Sequence, residues 1–352
     1  MVGVFIVAEL SANHNKDLSL AKESLYAIKE CQADAIKLQT YTPDSLTLNC
    51  RNDFFKIKSN TIWDNKYLYD LYNEACMPLE WNEELFSLAK KIGLTCFSSA
   101  FDISGVDLLE SLDNPIYKIA SFEITDIPLI SYIASRNKPI ILSSGIAMGD
   151  EIKEAVNVIK AQNNTDITLL KCTSAYPAPI NEMNLLQMVK DAKKYNIKYG
   201  LSDHSLGFNA SIIATTLKAS IIEKHFVLDK KKGGLDSAFS MDCKEFRELV
   251  RLIRESQDAI GSSDYKIETL IDINTESNPK GREFARSLFV SKDIKKGEKL
   301  SLDNVRSVRP SNGLSPKYLY KIIGKTAKRN LEFGKPLEWQ DIEISDIEMA
   351  DI

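Results

Sequence analysis

The chain has 352 residues, of which 44% are hydrophobic and 27% charged, and a formal net charge of -4. This is the composition of a globular protein with an ordinary core, and the length suits a barrel of about 250 residues plus a small module. No overall positive field exists to recruit nucleic acid or an acidic membrane, so local cations must meet any anionic substrate. The cysteines Cys31, Cys50, Cys76, Cys96, Cys172 and Cys243 form no Cys-x-x-Cys pair. They read as thiols in a reducing compartment, not as a disulfide frame or a zinc site. The apolar run Val4–Val7 begins without a signal peptide's basic start and cleavage site, and no stretch is long enough to span a bilayer. The cytoplasm is the expected location.

Short apolar runs follow in chain order at Phe5–Glu9, Ala35–Gln39, Thr95–Ser99, Tyr117–Ser121, Ile140–Ser144, Thr168–Thr173, Tyr199–Asp203 and Ile221–His225. Their brevity and branched content predict buried parallel strands. Amphipathic segments lie between them: Ile152, Ala155, Val156 and Ile159 keep helical spacing, as do Phe246, Leu249, Val250 and Ile253. Eight strand–helix repeats predict a closed α/β (β/α)8 TIM barrel over residues 1–262. The segment from Thr40 to Met77 is unusually long for a loop. It holds Trp63, Asp64, Tyr67, Tyr69 and Tyr72 and looks helical from Tyr67 to Ala75. Its aromatic content argues for a packed lid or substrate wall, with a dimer contact as the alternative.

Helical patterning stops near Ile260, and the polar stretch that begins at Gly261-Ser262-Ser263-Asp264 predicts a linker over 263–283. A small module is expected over 284–345. There, Asp293-Ile294-Lys295-Lys296-Gly297-Glu298-Lys299-Leu300 is echoed by Asn330-Leu331-Glu332-Phe333-Gly334-Lys335-Pro336-Leu337, which suggests pseudo-twofold symmetry. Residues 346–352 read as a frayed acidic tail.

Polar groups collect where the strand runs end, which is where such barrels build active sites. His204 and His225 end neighbouring strands and can ligate one divalent ion with open positions left; two hydrogen-bonded core histidines would have the same spacing. Side chains alternate along a strand, so Ser202 and His204 share a face, as do Glu223 and His225. Lys37 and Lys118 lie among the hydroxyls of Ser99, Ser121, Ser143 and Ser202, a set suited to phosphate. Structural lysines paired with Glu9 or Glu223 are the alternative. Lys118 and Lys171 are also strand lysines of the sort used in Schiff-base chemistry.

The motifs Glu9-Leu10-Ser11-Ala12-Asn13-His14-Asn15, Lys37-Leu38-Gln39-Thr40, Tyr117-Lys118-Ile119-Ala120-Ser121, Ser202-Asp203-His204-Ser205 and Glu223-Lys224-His225-Phe226 together resemble the sialic acid synthase family. Arg309-Pro310-Ser311-Asn312-Gly313 and the glycine-turn echo look like that family's C-terminal antifreeze-like (SAF, β-clip) domain. Glu9-Leu10-Ser11-Ala12, Gln39-Thr40-Tyr41-Thr42-Pro43-Asp44-Ser45-Leu46-Thr47 and Trp63-Asp64 are most similar to the branch that makes pseudaminic acid. Asn15 departs from the pattern, since a small residue is commoner there.

The resemblance implies a transferase that condenses phosphoenolpyruvate with an amino-sugar aldehyde, with C–O cleavage of phosphoenolpyruvate. The branch's acceptor is 2,4-diacetamido-2,4,6-trideoxy-L-altrose, and its product serves cell-surface or flagellar glycans. N-acetylneuraminate or legionaminic acid synthesis is the alternative, with a Schiff-base aldolase or a non-catalytic sugar- or ice-binding protein further off. His204 and His225 would hold the metal, manganese first, with magnesium or cobalt as the other candidates. Lys37, Ser99, Lys118, Ser121, Ser143 and Ser202 would bind phosphoenolpyruvate. Glu9, Glu123, Tyr176, Glu223 and Asp236 would face the sugar or the reacting centre. Arg309 would reach a neighbouring subunit's barrel in a domain-swapped homodimer.

Overall fold

The computed structural model describes residues 3–58, 64–232, 234–261 and 281–343. Eight parallel strands, β1 (Phe5–Glu9), β2 (Ala35–Thr40), β3 (Thr95–Ala100), β4 (Tyr117–Ile119), β5 (Ile140–Ser143), β6 (Ile167–Cys172), β7 (Lys198–Asp203) and β8 (Ile221–His225), close in sequence order, with β8 paired to β1. The expected strands are all present. β4 stops two residues early because Ser121–Glu123 turns into a single 3-10 turn.

The pleat sorts the barrel interior into two layers. Val7, Ala35, Phe97, Ile141, Leu170 and Ile221 form a buried apolar plug. Two residues further along the same strands stand Glu9, Lys37, Ser99, Ser143, Cys172 and Glu223, so each strand turns polar on its inward face near its C-terminal end. Gly200 fits where β7 meets β8, since a Cβ there would lie 2.3 Å from the carbonyl oxygen of Ile221. The outward faces pack against helices. Ile6, Ile36, Leu38, Leu201 and Ile222 join Leu25, Leu85, Phe246 and Leu249 on one side. Tyr117, Ile119, Ile140 and Leu169 join Leu109, Ile130 and Val156 on the other.

Helix starts follow local chemistry. Asp17 accepts from Ser19 and Leu20 at the head of Leu18–Glu30, and Asp242 with Glu245 forms a capping box for Cys243–Ile260. No described helix is long and apolar enough to cross a membrane.

The long segment after β2 is a packed wall. Its helix, Leu68–Ala75, matches the expected one. Leu48, Phe55, Ile57, Leu68 and Leu71 share a buried cluster with Phe289 and Val308 of the C-terminal module. Trp63 lies outside the described residues, as do 263–280 of the expected linker and the expected tail.

The C-terminal module has its own core, including Leu288, Ile294, Leu300, Leu331 and Leu337. Strands β9 (Ser287–Val290) and β10 (Val305–Val308) pair antiparallel. The repeated units meet as the echo implies: Ile294 and Leu331 exchange reciprocal backbone hydrogen bonds of 2.8 Å. Asp293 Oδ1 accepts from the Phe333 amide at 2.7 Å, and Asn330 Oδ1 accepts from the Lys296 amide at 2.8 Å. Equivalent residues do equivalent work, which is the mark of a local twofold axis.

Candidate active site

At the C-terminal mouth of the barrel lies a cavity of about 590 Å³. Glu9, Lys37, Lys118, Ser121, Ser143, Tyr176, Ser202, His204, Glu223, His225, Asp236 and Arg309 all line it. Two expected residues do not. Ser99 shares the inward face of β3 but is buried outside the cavity lining, and Glu123 is fully buried against Arg309. The volume and the mixed lining suit small-molecule substrates.

Four charges form the centre. Lys37 Nζ lies 3.1 Å from Glu9 Oε2 and 2.9 Å from Glu223 Oε1. Lys118 Nζ lies 2.9 and 3.1 Å from the two Glu223 oxygens, and Ser202 donates to Oε1 at 2.9 Å. The lysines are thus carboxylate-paired and cavity-lining at once; an ammonium has three donors, which allows both. Burial works to raise the Glu223 carboxyl, but Lys118 and Lys37 prevail and hold it far below the usual range. Glu9 differs: burial, against Lys37 and with Glu223 adding to it, pushes its carboxyl up to about 7. Gln39 donates to Glu9 Oε1 at 2.8 Å and to Ser11 Oγ at 3.0 Å, and Ser11 Oγ donates to Asp236 Oδ2 at 2.5 Å. A hydrogen-bonded chain therefore runs from Glu9 to Asp236 across the mouth.

The two histidine rings stand 5.3 Å apart between centroids. His204 Nδ1 is 3.1 Å from the Thr173 carbonyl oxygen, which favours a proton on Nδ1 and leaves the other nitrogen as an acceptor. His225 Nδ1 is buried without a hydrogen-bond partner, 4.0 Å from Asp236 Oδ2. Burial, then His204, holds His225 well below the ordinary imidazole range, so it is neutral and able to ligate. Two imidazoles facing one cavity could ligate a divalent cation that keeps its other positions open. Among the described residues no group of three or more His, Cys, Asp or Glu side chains is placed to hold a metal ion, so the protein's share of such a site is the histidine pair.

Lys171 takes no part in the cavity. Leu170 and Cys172 point inward on β6, so Lys171 faces outward, with its ammonium 2.9 Å from the Cys172 carbonyl oxygen. The Tyr176 ring centre lies 4.5 Å from that of His204 and 5.1 Å from that of Phe239, tilted to both. Arg309 lines the cavity. Its Nη2 lies 2.7 and 2.9 Å from the Glu123 oxygens, and its Nη1 donates to the Tyr72 hydroxyl at 3.1 Å. Sequence reasoning missed the cavity-lining Tyr41, Phe101, Phe122 and Phe284 and the buried Arg286. A buried arginine between Ala285 and Leu288 is itself a signal, since arginine is rarely buried without partners.

The NeuB family model matches residues 25–265, and the SAF domain model matches residues 285–343. The chain is 53% identical to pseudaminic acid synthase of Helicobacter pylori, over 97% of this chain and 98% of that one. It is 38% identical to N,N'-diacetyllegionaminic acid synthase of Campylobacter jejuni subsp. jejuni, over 94% and 97%. The crystal structure of a spore coat polysaccharide biosynthesis protein from Bacillus subtilis superposes with a TM-score of 0.81 at 29% identity, covering 98% of this chain and 96% of that one.

Proposed function

Because the chain belongs to the NeuB family, we propose that it joins phosphoenolpyruvate to open-chain 2,4-diacetamido-2,4,6-trideoxy-L-altrose, giving pseudaminic acid and phosphate. The observation that carries this reading is the near-full-length similarity to a pseudaminic acid synthase, 53% against 38% for a legionaminic acid synthase. The cavity chemistry agrees with it.

Lys37 and Lys118 bind the phosphate and carboxylate of phosphoenolpyruvate with the ammonium donors left over from Glu9 and Glu223. Ser121, Ser143 and Ser202 add hydroxyls. Ser143 Oγ is buried without a partner on the cavity wall, a cost of about 1–3 kcal/mol that a ligand oxygen would remove. The methylene carbon attacks the aldehyde carbon, and the enol carbon becomes electron-deficient. Water adds there, and the adduct breaks its C–O bond, so phosphate leaves with the electron pair. Glu9 takes the proton of that water or hands one to the new hydroxyl, a task suited to a carboxyl near 7. Tyr176, Asp236 and Arg309 wall the acceptor end.

His204 and His225, with Asp236 beside them, would hold a divalent cation, manganese first. When bound it supplies Lewis-acid polarisation of the acceptor aldehyde. The working form is a homodimer in the cytoplasm, with the Arg309 module of one protomer completing its neighbour's cavity.

The test is to mix purified protein, manganese and phosphoenolpyruvate with a panel of amino-sugar aldehydes, then measure phosphate and product mass. The altrose derivative is expected to give the highest kcat/KM. A higher value for N-acetylmannosamine or the legionaminic precursor would overturn the acceptor assignment. Oxygen label at the bridging position is expected to leave with phosphate.

A further inference from the structure

The acceptor end of the cavity rests on a buried charge cluster of which only Arg309 reaches the cavity. Glu123 follows β4 in a 3-10 turn and is fully buried. Its Oε1 accepts from Arg309 Nη2 at 2.7 Å and Nε at 3.2 Å, and also from Arg286 Nε at 3.1 Å. Its Oε2 takes Arg309 Nη2 at 2.9 Å. One carboxylate therefore serves two guanidinium groups, both themselves buried.

Arg286, just before β9, spends its other donors on backbone from three more places. Nη1 donates to Ser307 O in β10 at 2.9 Å. Nη2 donates to Ser45 O at 2.9 Å and Phe101 O at 2.6 Å, in the segments after β2 and β3. Asp126 Oδ2 lies 3.8 Å from its Nε and accepts from Ser307 Oγ at 2.7 Å. Arg286 thus ties three barrel loops to both strands of the C-terminal module. Of the three principal groups, only Arg309 lines the cavity, with its guanidinium 4.7 Å from the Phe122 ring centre.

We propose that Arg286 is a positioning residue for acceptor-sugar recognition: it holds the Glu123 carboxylate, and Glu123 holds the Arg309 guanidinium against the cavity wall. Glu123 in this arrangement is an anchor, not a sugar contact. The rigid fork matters as well as the charge, because a lysine at 286 keeps the charge but cannot make these four directed donor contacts. The proposal rests on the functional reading above for its kinetic form alone.

The Arg286→Lys variant is expected to raise the acceptor KM by roughly 10-fold while the phosphoenolpyruvate KM stays within about 2-fold, since the latter's ligands lie elsewhere in the cavity. Glu123→Gln is expected to raise the acceptor KM alone in the same way. The double variant is expected to be no worse than the more impaired single one, because both act through one chain of contacts. Equal rises in both KM values, or additive effects, would sink the proposal. A crystal structure of Arg286→Lys gives a second readout that needs no turnover. The Arg309 guanidinium is expected to have left Glu123, and an unmoved guanidinium overturns the inference. If wild-type protein releases no phosphate with any aldehyde, the functional reading fails, and the crystal structure still decides the positioning role.

Discussion

Lys37, Lys118, Glu9 and Glu223 share one buried pocket, yet their environments drive them apart. Glu223 meets both lysines and stays ionised, whereas Glu9 meets one lysine and titrates at about 7. Replacing Lys37 or Lys118 by alanine removes a charge-assisted contact of about 1.5–3 kcal/mol, so the phosphoenolpyruvate KM is expected to rise ~10–100-fold in steady-state assays. An unchanged KM would remove the phosphate role. Glu9 also has a pH signature. Its carboxyl titrates higher folded than unfolded, so its stabilising contribution is complete below about 4.5 and is lost as pH rises through about 7. Glu9→Gln is therefore expected to gain in Tm relative to wild type between pH 4.5 and pH 8, as read by thermal melts. The same variant is expected to lose the acidic limb of the kcat/KM profile near pH 7. A limb that persists assigns it to another group.

Among elements, the segment after β2 matters most to the site because it faces two ways. Tyr41, Leu46, Leu71 and Tyr72 line the cavity, while Phe55 packs at 5.1 Å on Phe289 of β9. Thr47 Oγ1 donates to the Arg309 carbonyl oxygen at 3.0 Å, and the Arg309 amide donates to Leu46 O at 2.9 Å, so this segment also fixes the backbone that carries Arg309. Phe55→Ala is expected to cost about 3–5 kcal/mol by denaturant melt, the usual penalty for a buried aromatic truncation. A cost below about 1 kcal/mol would mean that the segment and the module are only loosely joined. The helix within this segment was legible from its aromatic and apolar spacing, as were all eight strands. Its role as a wall shared by barrel and module was not, because the aromatic content alone fits a lid, a substrate wall or a dimer contact.

For the whole molecule, the question is whose cavity Arg309 completes. In the structure it meets Glu123 of its own chain; the proposed homodimer makes the same contact across protomers. Arg309→Ala and His204→Ala each damage a different half of one composite site. Co-refolded in equal amounts, they are expected to recover about a quarter of wild-type activity if modules swap, since half the dimers are mixed and each mixed dimer has one intact site. Recovery near zero would show that each chain serves itself. Sedimentation of the mixture checks that mixed dimers formed.

The amino-acid sequence determined the repeating strands and helices, the polar strand ends, the facing histidines and the mirrored glycine turns, because each is written in local spacing of 2, 3.6 or one repeat. The tertiary structure alone decided that Glu123 lies beneath Arg309 and not in the cavity, that Ser99 is covered, that Lys171 faces outward from the cavity and that Arg286 binds three barrel loops together. The placements of Glu123 and Arg286 depend on buried ion pairs between residues far apart in the chain, such as Glu123 and Arg309. Such a pair leaves no periodic trace, and it forms only once the barrel and the C-terminal module bring the two charges into one dry space.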